Sequence, residues 1–396
     1  MINKTNTVNE VLGMNKAFKD VFSNNGFVGL DNPHILKQIG NQTLEQLLTS
    51  KGKNVEVFIS LLEETAAETV VDVTLTSGVK EAETKILGLL PCPVRIPLLE
   101  AFNANCDTST VNYELKAASE GLDWLKEDMN AARVEDDLAD IYISAGFDLF
   151  FEKDFVKKFK DKKTFTDFGA DTPFNKDLDN ENIQLKDPNK DYSMFAVVPA
   201  VFLINTMVLG DRPMPKTWAD LLDPIYENSV SLPVSDFDLF NAIMIHIYKA
   251  YGKDGVLRLG KQMIASMHPA QMVKSDRRSR VKPAISIMPY FFTRMALAGS
   301  VMKAVWPEDG AIVSPIFMLT KTSKQETLKQ YTDVFFSKEV GEILSHKGLF
   351  PSTHVDVDNK LDNKPFYWVG WDYINNNDIG AILKECTMLF EKGMSI

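Results

Sequence analysis

From Lys85 to the C-terminus, short apolar runs alternate with amphipathic stretches, and no other feature restricts the fold as tightly. The apolar runs predict strands at 85–90, 110–115, 138–143, 194–206, 229–232, 283–288 and 311–319. Between them, helical spacing predicts helices over 94–103, 119–130, 147–159, 217–222, 236–251, 253–266, 289–298, 323–336, 338–346 and 378–392. A chain that alternates in this way builds a mostly parallel sheet with helices over its faces, an α/β layout. The run "MFAVVPAVFLI" from Met194 contains Pro199 and is too short to cross a bilayer, so it reads as a long buried strand and no membrane span is expected.

The strand-to-helix junctions concentrate the chemistry. In "LLPCPVRIPLLEAFN", residues 89–103, Pro91 and Pro93 stop sheet pairing and fix a turn around Cys92 before a helix begins. Beyond the carboxyl end of a strand, the first amides of a helix are unpaired and carry the positive end of its dipole. Ligands in open α/β sheets bind there. "DIYISAGFDLFF" repeats the arrangement at Ser144, Gly146 and Phe147, "VSLPVSDFDLFNAI" at Ser235, Asp236 and Phe237, and "AISIMPYFFTRMA" at Tyr290 and Phe291. The expected ligand-binding set is therefore Cys92, Pro93, Ser144, Gly146, Phe147, Ser235, Asp236, Phe237, Tyr290 and Phe291. Each has a plainer reading: a serine or aspartate as a helix cap, a proline in a first turn, Phe147 and Phe291 as core.

Residues 1–64 form a block of their own. Thr7 with Glu10, and Thr43 with Gln46, have the spacing of capping boxes, and Gly26 and Gly29 punctuate a turn. Residues 65–83 read as a linker or one extra strand, and the polar stretch 151–191 as a surface excursion. Internal repeats are not evident.

A net charge of -11 argues against nucleic-acid binding by phosphate neutralisation and against a polybasic membrane anchor. Three cysteines, Cys92, Cys106 and Cys386, cannot all pair and suit a reducing compartment. The segment "MINKTNTVNEVLGMNKAFKD" lacks the features of a secretory signal, so a cytoplasmic location is expected. His34, His246, His268, His346 and His354 show no metal-ligand spacing, and His246 within "NAIMIHIYKAY" reads as a core histidine. The three arginines of "SDRRSRVKP" read as a solvated edge, and "WPEDG" as a turn. Cys92 at a helix start could have a lowered thiol pKa and act as a nucleophile, but no histidine is placed by motif to activate it. No phosphate loop, GxSxG elbow or HExxH helix is present, so neither enzyme activity nor a cofactor is expected.

Two segments resemble known families. The block "TVNEVLGMNKAFKDVFSNNGFVGLDNPHILKQIGNQTLEQLL" resembles a small helical domain of unknown function found in cytoplasmic proteins. From about Lys85 onward, "RPMPKTWADLLDPIYENSVSLP" and "WPEDGAIVSPIFMLTKTSKQETLKQYTDVFFSKEVGEILSHKGLFPS" resemble the type 2 periplasmic-binding-protein superfamily, in the branch of ferric iron, thiamine and phosphonate receptors. The resemblance implies two α/β lobes joined by hinge strands, with a small molecule or ion held between them and an ABC permease as partner. On that mapping one lobe is 84–200 plus 305–350, the other 201–304 plus 351–396, and "MFAVVPAVFLINT" is a hinge strand. Ferric receptors of this branch commonly use two adjacent tyrosines and a histidine. Here Tyr290 is followed by Phe291 and Phe292, and the first strand end carries Cys92 instead of a histidine, so iron held in that manner is disfavoured. An organic solute with an anionic group suits the helix starts, while Asp236 and Asp238 would favour one that also carries an amine. A ligand sensor with no role in transport is the alternative.

Overall fold

The computed structural model describes residues 2–15, 18–24, 27, 30, 33–51, 55, 58–59, 62, 75–76, 82–118, 122–234, 237–278, 281–297 and 299–395. Two compact units divide the chain, Met1–Thr74 and Leu75–Ile396.

In the first unit, helices α1 (Val8–Met14), α2 (Phe18–Asn24), α3 (Pro33–Ile39) and α4 (Leu44–Ser50) surround a small apolar core. Both expected capping boxes form. Thr7 Oγ1 accepts from the Glu10 amide at 3.3 Å while Glu10 accepts from the Thr7 amide at 2.8 Å. Thr43 and Gln46 repeat this at 3.2 and 3.0 Å. Each box satisfies amides that a helix start leaves open, contributing on the order of 1 kcal/mol. The two starts also bond to each other, Val8 N to Gln42 O and Leu44 N to Asn6 O. Phe22, Phe27 and Phe58 meet edge to face beneath them. Gly26, Gly29 and most of 65–83 lie outside the described residues.

The second unit is built on β1 (Leu75–Thr76), β2 (Thr84–Leu90), α5 (Arg95–Asn105), β3 (Val111–Ala117), α6 (Asp123–Ala131), β4 (Ile141–Ala145), α7 (Lys153–Lys158) and β5 (Phe165–Thr166). There follow β6 (Ser193–Asn205), α8 (Thr206–Leu209), β7 (Val230–Leu232), α9 (Phe237–Gln262), β8 (Met263–Ser266), α10 (Pro269–Met272), α11 (Ser275–Arg278), β9 (Ile285–Pro289), α12 (Tyr290–Thr293), β10 (Met302–Val305) and β11 (Ala311–Lys321). The chain ends with α13 (Gln325–Phe335), α14 (Lys338–Glu342), β12 (Phe366–Tyr367), α15 (Trp371–Asn376) and α16 (Ile379–Met394). The strands lie in the order β1-β3-β2-β4-β11-β6-β9-β7-β8. β3, β2 and β4 are parallel to one another, as are β9, β7 and β8. The antiparallel pair β11–β6 joins these two halves. This is the α/β fold with hinge strands that the family resemblance implies, but the sheet is mixed and not mostly parallel as the alternation predicts. Among the described residues six strand pairings are antiparallel and five parallel, because the long strands β6 and β11 run against most of their neighbours.

Every predicted strand is present, although β4 starts three residues late because Glu135–Asp137 first makes a 3-10 turn. Several predicted helices are shorter or differently built. Over 147–159, a 3-10 turn (Leu149–Phe151) precedes α7, because Gly146 takes φ 80° and Asp148, at φ -140° and ψ -138°, is not helical. Within α9, Gly252 at φ 65° breaks the helix where the sequence predicts a boundary. The expected last turn of 253–266 is instead β8, which pairs with β7. The 217–222 helix is a 3-10 turn at Asp220–Leu222, and the 289–298 helix is the single turn α12. β10, β5 and β12 carry too few apolar residues to announce themselves, and tertiary pairing with β6 and β11 makes them. The excursion 151–191 is not loose: Asn175 donates to His354 and Val357 carbonyls at 3.1 and 2.6 Å, and Leu178 and Leu185 are buried in the main core.

The C-terminal segment touches both halves. Val197 donates to Pro351 and Thr353 to Phe195, beside β6, whereas α16 packs along α9. No described helix is long and apolar enough to cross a membrane.

Candidate functional site

The register of the hinge strands fixes where the parallel strands end. Ala145, the last residue of β4, lies opposite Ile316, which pairs with Ala196 of β6. Pro289, the last of β9, lies opposite Ala200 of β6. β4 and β9 run toward each other along the hinge pair and stop four residues apart on β6, roughly 13 Å at the rise of an extended strand. The carboxyl ends of both halves thus face one gap, floored by 196–200 of β6 and 312–316 of β11.

Both floor strands carry a proline, Pro199 opposite Val313 and Pro315 opposite Val197. The Val197 amide points outward to Pro351, and the Pro315 carbonyl outward to the Gly146 amide. By the two-residue alternation of a strand, the ring nitrogens of Pro199 and Pro315 face the same outer edges. Those edges run past the ends of β9 and β4, where an N–H would have no strand to donate to. Proline removes that donor, so no amide is left open there.

On one side of the gap the halves are tightly joined. Gly146, with φ 80°, is so close to the start of α9 that an added Cβ would sit 2.7 Å from the Asp238 Cα. Only glycine satisfies both the dihedral and the approach. Asn241 of α9 donates to the Phe147 carbonyl at 2.9 Å, and Ser314 of β11 to the Asp238 carbonyl at 3.2 Å. The Phe147 ring is fully buried, stacked on Trp368 at 5.6 Å and edge-on to His246 at 6.2 Å. Phe147 therefore starts no helix and is core here. Ser144, expected at the strand end, is instead the penultimate residue of β4 and is fully buried.

On the other side the contacts are lighter. Tyr290 and Phe291 follow β9 directly and are half-buried. Tyr290 meets Trp306 edge to face at 5.1 Å, and Phe291 lies over Phe350 at 6.4 Å. Phe350 in turn borders the first junction: a Cβ on Gly348 would meet both the Phe350 ring and Val94. Cys92 and Pro93, in the 3-10 turn before α5, are exposed. Ser235 and Asp236 lie outside the described residues; Phe237 is the first residue of α9.

Electrostatics add one residue that the sequence reading missed. Asp148 is 7% exposed, and neither carboxylate oxygen has a hydrogen-bond partner of good geometry. Burial pushes its pKa up to about 7 against the pull of Lys126, with Glu152 adding repulsion. A lone acid inside the apolar run "AGFDLFF" was its signal. His246, read as core, is fully buried; its Nδ1 is 2.6 Å from the Ala242 carbonyl, and burial lowers its pKa to about 3, so it is neutral. Asn241, Phe350 and Trp368 were also missed, since only tertiary contacts single them out. Among the described residues no group of three or more His, Cys, Asp or Glu side chains could hold a metal ion.

Comparisons with known proteins bear on this geometry. The ferric binding protein of Campylobacter jejuni superposes with a TM-score of 0.54 at 12% identity, covering 78% of this chain and 99% of its own. The substrate binding protein of an ABC transporter from Agrobacterium tumefaciens gives 0.53 at 15% identity, covering 80% and 99%. A two-component system protein that mediates signal transduction gives 0.54 at 15%, covering 76% and 99%. At these identities the likeness establishes the two-lobed fold. No curated protein sequence matches the chain. Residues 136–377, more than half of the chain, match the model of one family, and the chain accordingly belongs to the bacterial extracellular solute-binding proteins.

Proposed function

We propose that this solute-binding protein closes its two lobes over a small organic solute bearing an anionic group and releases it unchanged. The observation that carries the reading is the opposition of strand ends at Ala145 and Pro289 across β6 and β11, with Ser352 bridging to Ala196 and β12 pairing with Ile312 at the margins of that floor. A solute touching both banks binds the closed arrangement better and so shifts the population toward it. The amides after β2 and β9 supply donors, and Tyr290 with Trp306 an apolar wall. Ferric iron, the ligand named for several structural neighbours, is disfavoured because the residue after Tyr290 is a phenylalanine whose ring is engaged with Phe350.

Native mass spectrometry of freshly purified protein tests this: one small organic mass should accompany the chain and be recovered intact. A bound metal ion, or a solute returned as product, would overturn it. An ABC permease is the partner we propose. The second reading, a cytoplasmic sensor, is favoured by the cysteines, since Cys92, Cys106 and Cys386 are all free and Cys92 is exposed. Fractionation of cells producing the full chain decides between these; recovery outside the cytoplasm removes the sensor.

A further inference from the structure

The lighter side of the gap is built to part. Phe291 follows β9 in one half, yet it packs against the core formed by β2, β4, α5 and α13 of the other, through its ring on Phe350 at 6.4 Å and 18°. Three residues on, Arg294 Nη1 donates to the His346 carbonyl at 3.4 Å in an exposed position. Phe350 is a fixed seat: its amide donates to Leu344 at 3.0 Å, its side chain is buried, and Gly348 leaves it just enough room. Phe291, partly buried on a single helical turn, is the movable part.

We propose that Phe291 and Arg294 form a latch which biases the two halves toward closure, acting through the protein's own contacts and apart from the solute. The proposal rests on closure being the movement of this chain. One stacked ring pair and one long hydrogen bond tune a two-state equilibrium without locking it. An aromatic contact of this kind corresponds to roughly a two- to tenfold change in the closed-to-open ratio. At the floor, neither Pro199 nor Pro315 has an outer-edge N–H whose bond would be lost when the halves move.

Spin labels on azide-bearing side chains introduced at the exposed positions Lys303 and Glu326, one in each half, report the separation directly while leaving every cysteine in place. Phe291→Ala should raise the ratio of long to short distances roughly two- to tenfold, and Arg294→Ala less. Both side chains are at least partly exposed, so thermal unfolding should confirm that the variants fold. If the parent shows two distances and Phe291→Ala leaves their ratio unchanged, the latch is wrong and closure stands. A single distance in the parent and in both variants would remove closure itself, and the latch with it.

Discussion

The two sides of the gap have the same sequence grammar, a strand ending at glycine or proline before a helical turn, but opposite packing. At Gly146–Phe147 the halves share partly buried hydrogen bonds and a fully buried ring. At Phe291–Phe350 they share one ring contact and one exposed hydrogen bond. A receptor that opens and closes needs one persistent side and one that separates, and local sequence does not distinguish them. The difference arises from what the rest of the chain delivers. The C-terminal segment brings Trp368 to Phe147, whereas Phe291 meets Phe350 across the gap, with Phe292 of its own turn beside it, and stays partly exposed.

The largest effect should follow from removing the buried ring. Phe147→Ala empties a site enclosed by Trp368, His246 and Phe151, so denaturant unfolding should show a loss of about 3–5 kcal/mol. Phe291→Ala should cost far less stability. Equal losses would erase the contrast between the two sides. Gly146→Ala comes next: it places a methyl against Asp238 at an unfavourable φ, and should cost about 1–3 kcal/mol by the same measurement. Unchanged stability would mean that α9 is not held at Gly146.

Asp148 sharpens the comparison through pH. Its pKa rises from 3.8 to about 7 in the folded chain, so folding takes up a proton between those values. The carboxyl is tolerated below about pH 4, and stability falls as pH rises through 7, where a buried charge must be kept. Asp148→Asn removes that charge. Its melting temperature should exceed the parent's at pH 8, with the gap closing by pH 4. A gap of the same size at both pH values would mean that Asp148 does not titrate in this window.

Much of this fold was legible in the sequence because apolar periodicity reports burial directly. The continuous apolarity of β6 and the alternation of strands with helices required no tertiary information. What was hidden is instructive. β8 reads as the end of a helix because "MIAS" has no period of its own and becomes a strand only by pairing with β7. Phe147 and Phe291 look alike in sequence, each an aromatic residue just past a strand, and only their neighbours make one fully buried core and leave the other partly exposed. Ser144 reads as a strand end because the apolar run stops at 143, yet β4 continues to Ala145 and is buried on both faces, which covers the serine.

The smallest perturbation probes the separable side without altering stability. Cys92 lies exposed in the turn after β2, whereas burial raises the Cys106 thiol to about 11 and the Cys386 thiol to about 12. Thiolate is the reactive species, so a limiting dose of iodoacetamide at neutral pH should modify Cys92 first, then Cys106, with Cys386 last, as read by peptide mass spectrometry. The order matters because Cys92 precedes Val94, which shares the Gly348 contact with Phe350, the seat of Phe291. In Phe291→Ala the separable side should open further, so Cys92 should react faster while Cys386 keeps the parent's rate. Acceleration of Cys386 together with Cys92 would instead indicate general loosening of the unit, and the two sides of the gap would then move as one.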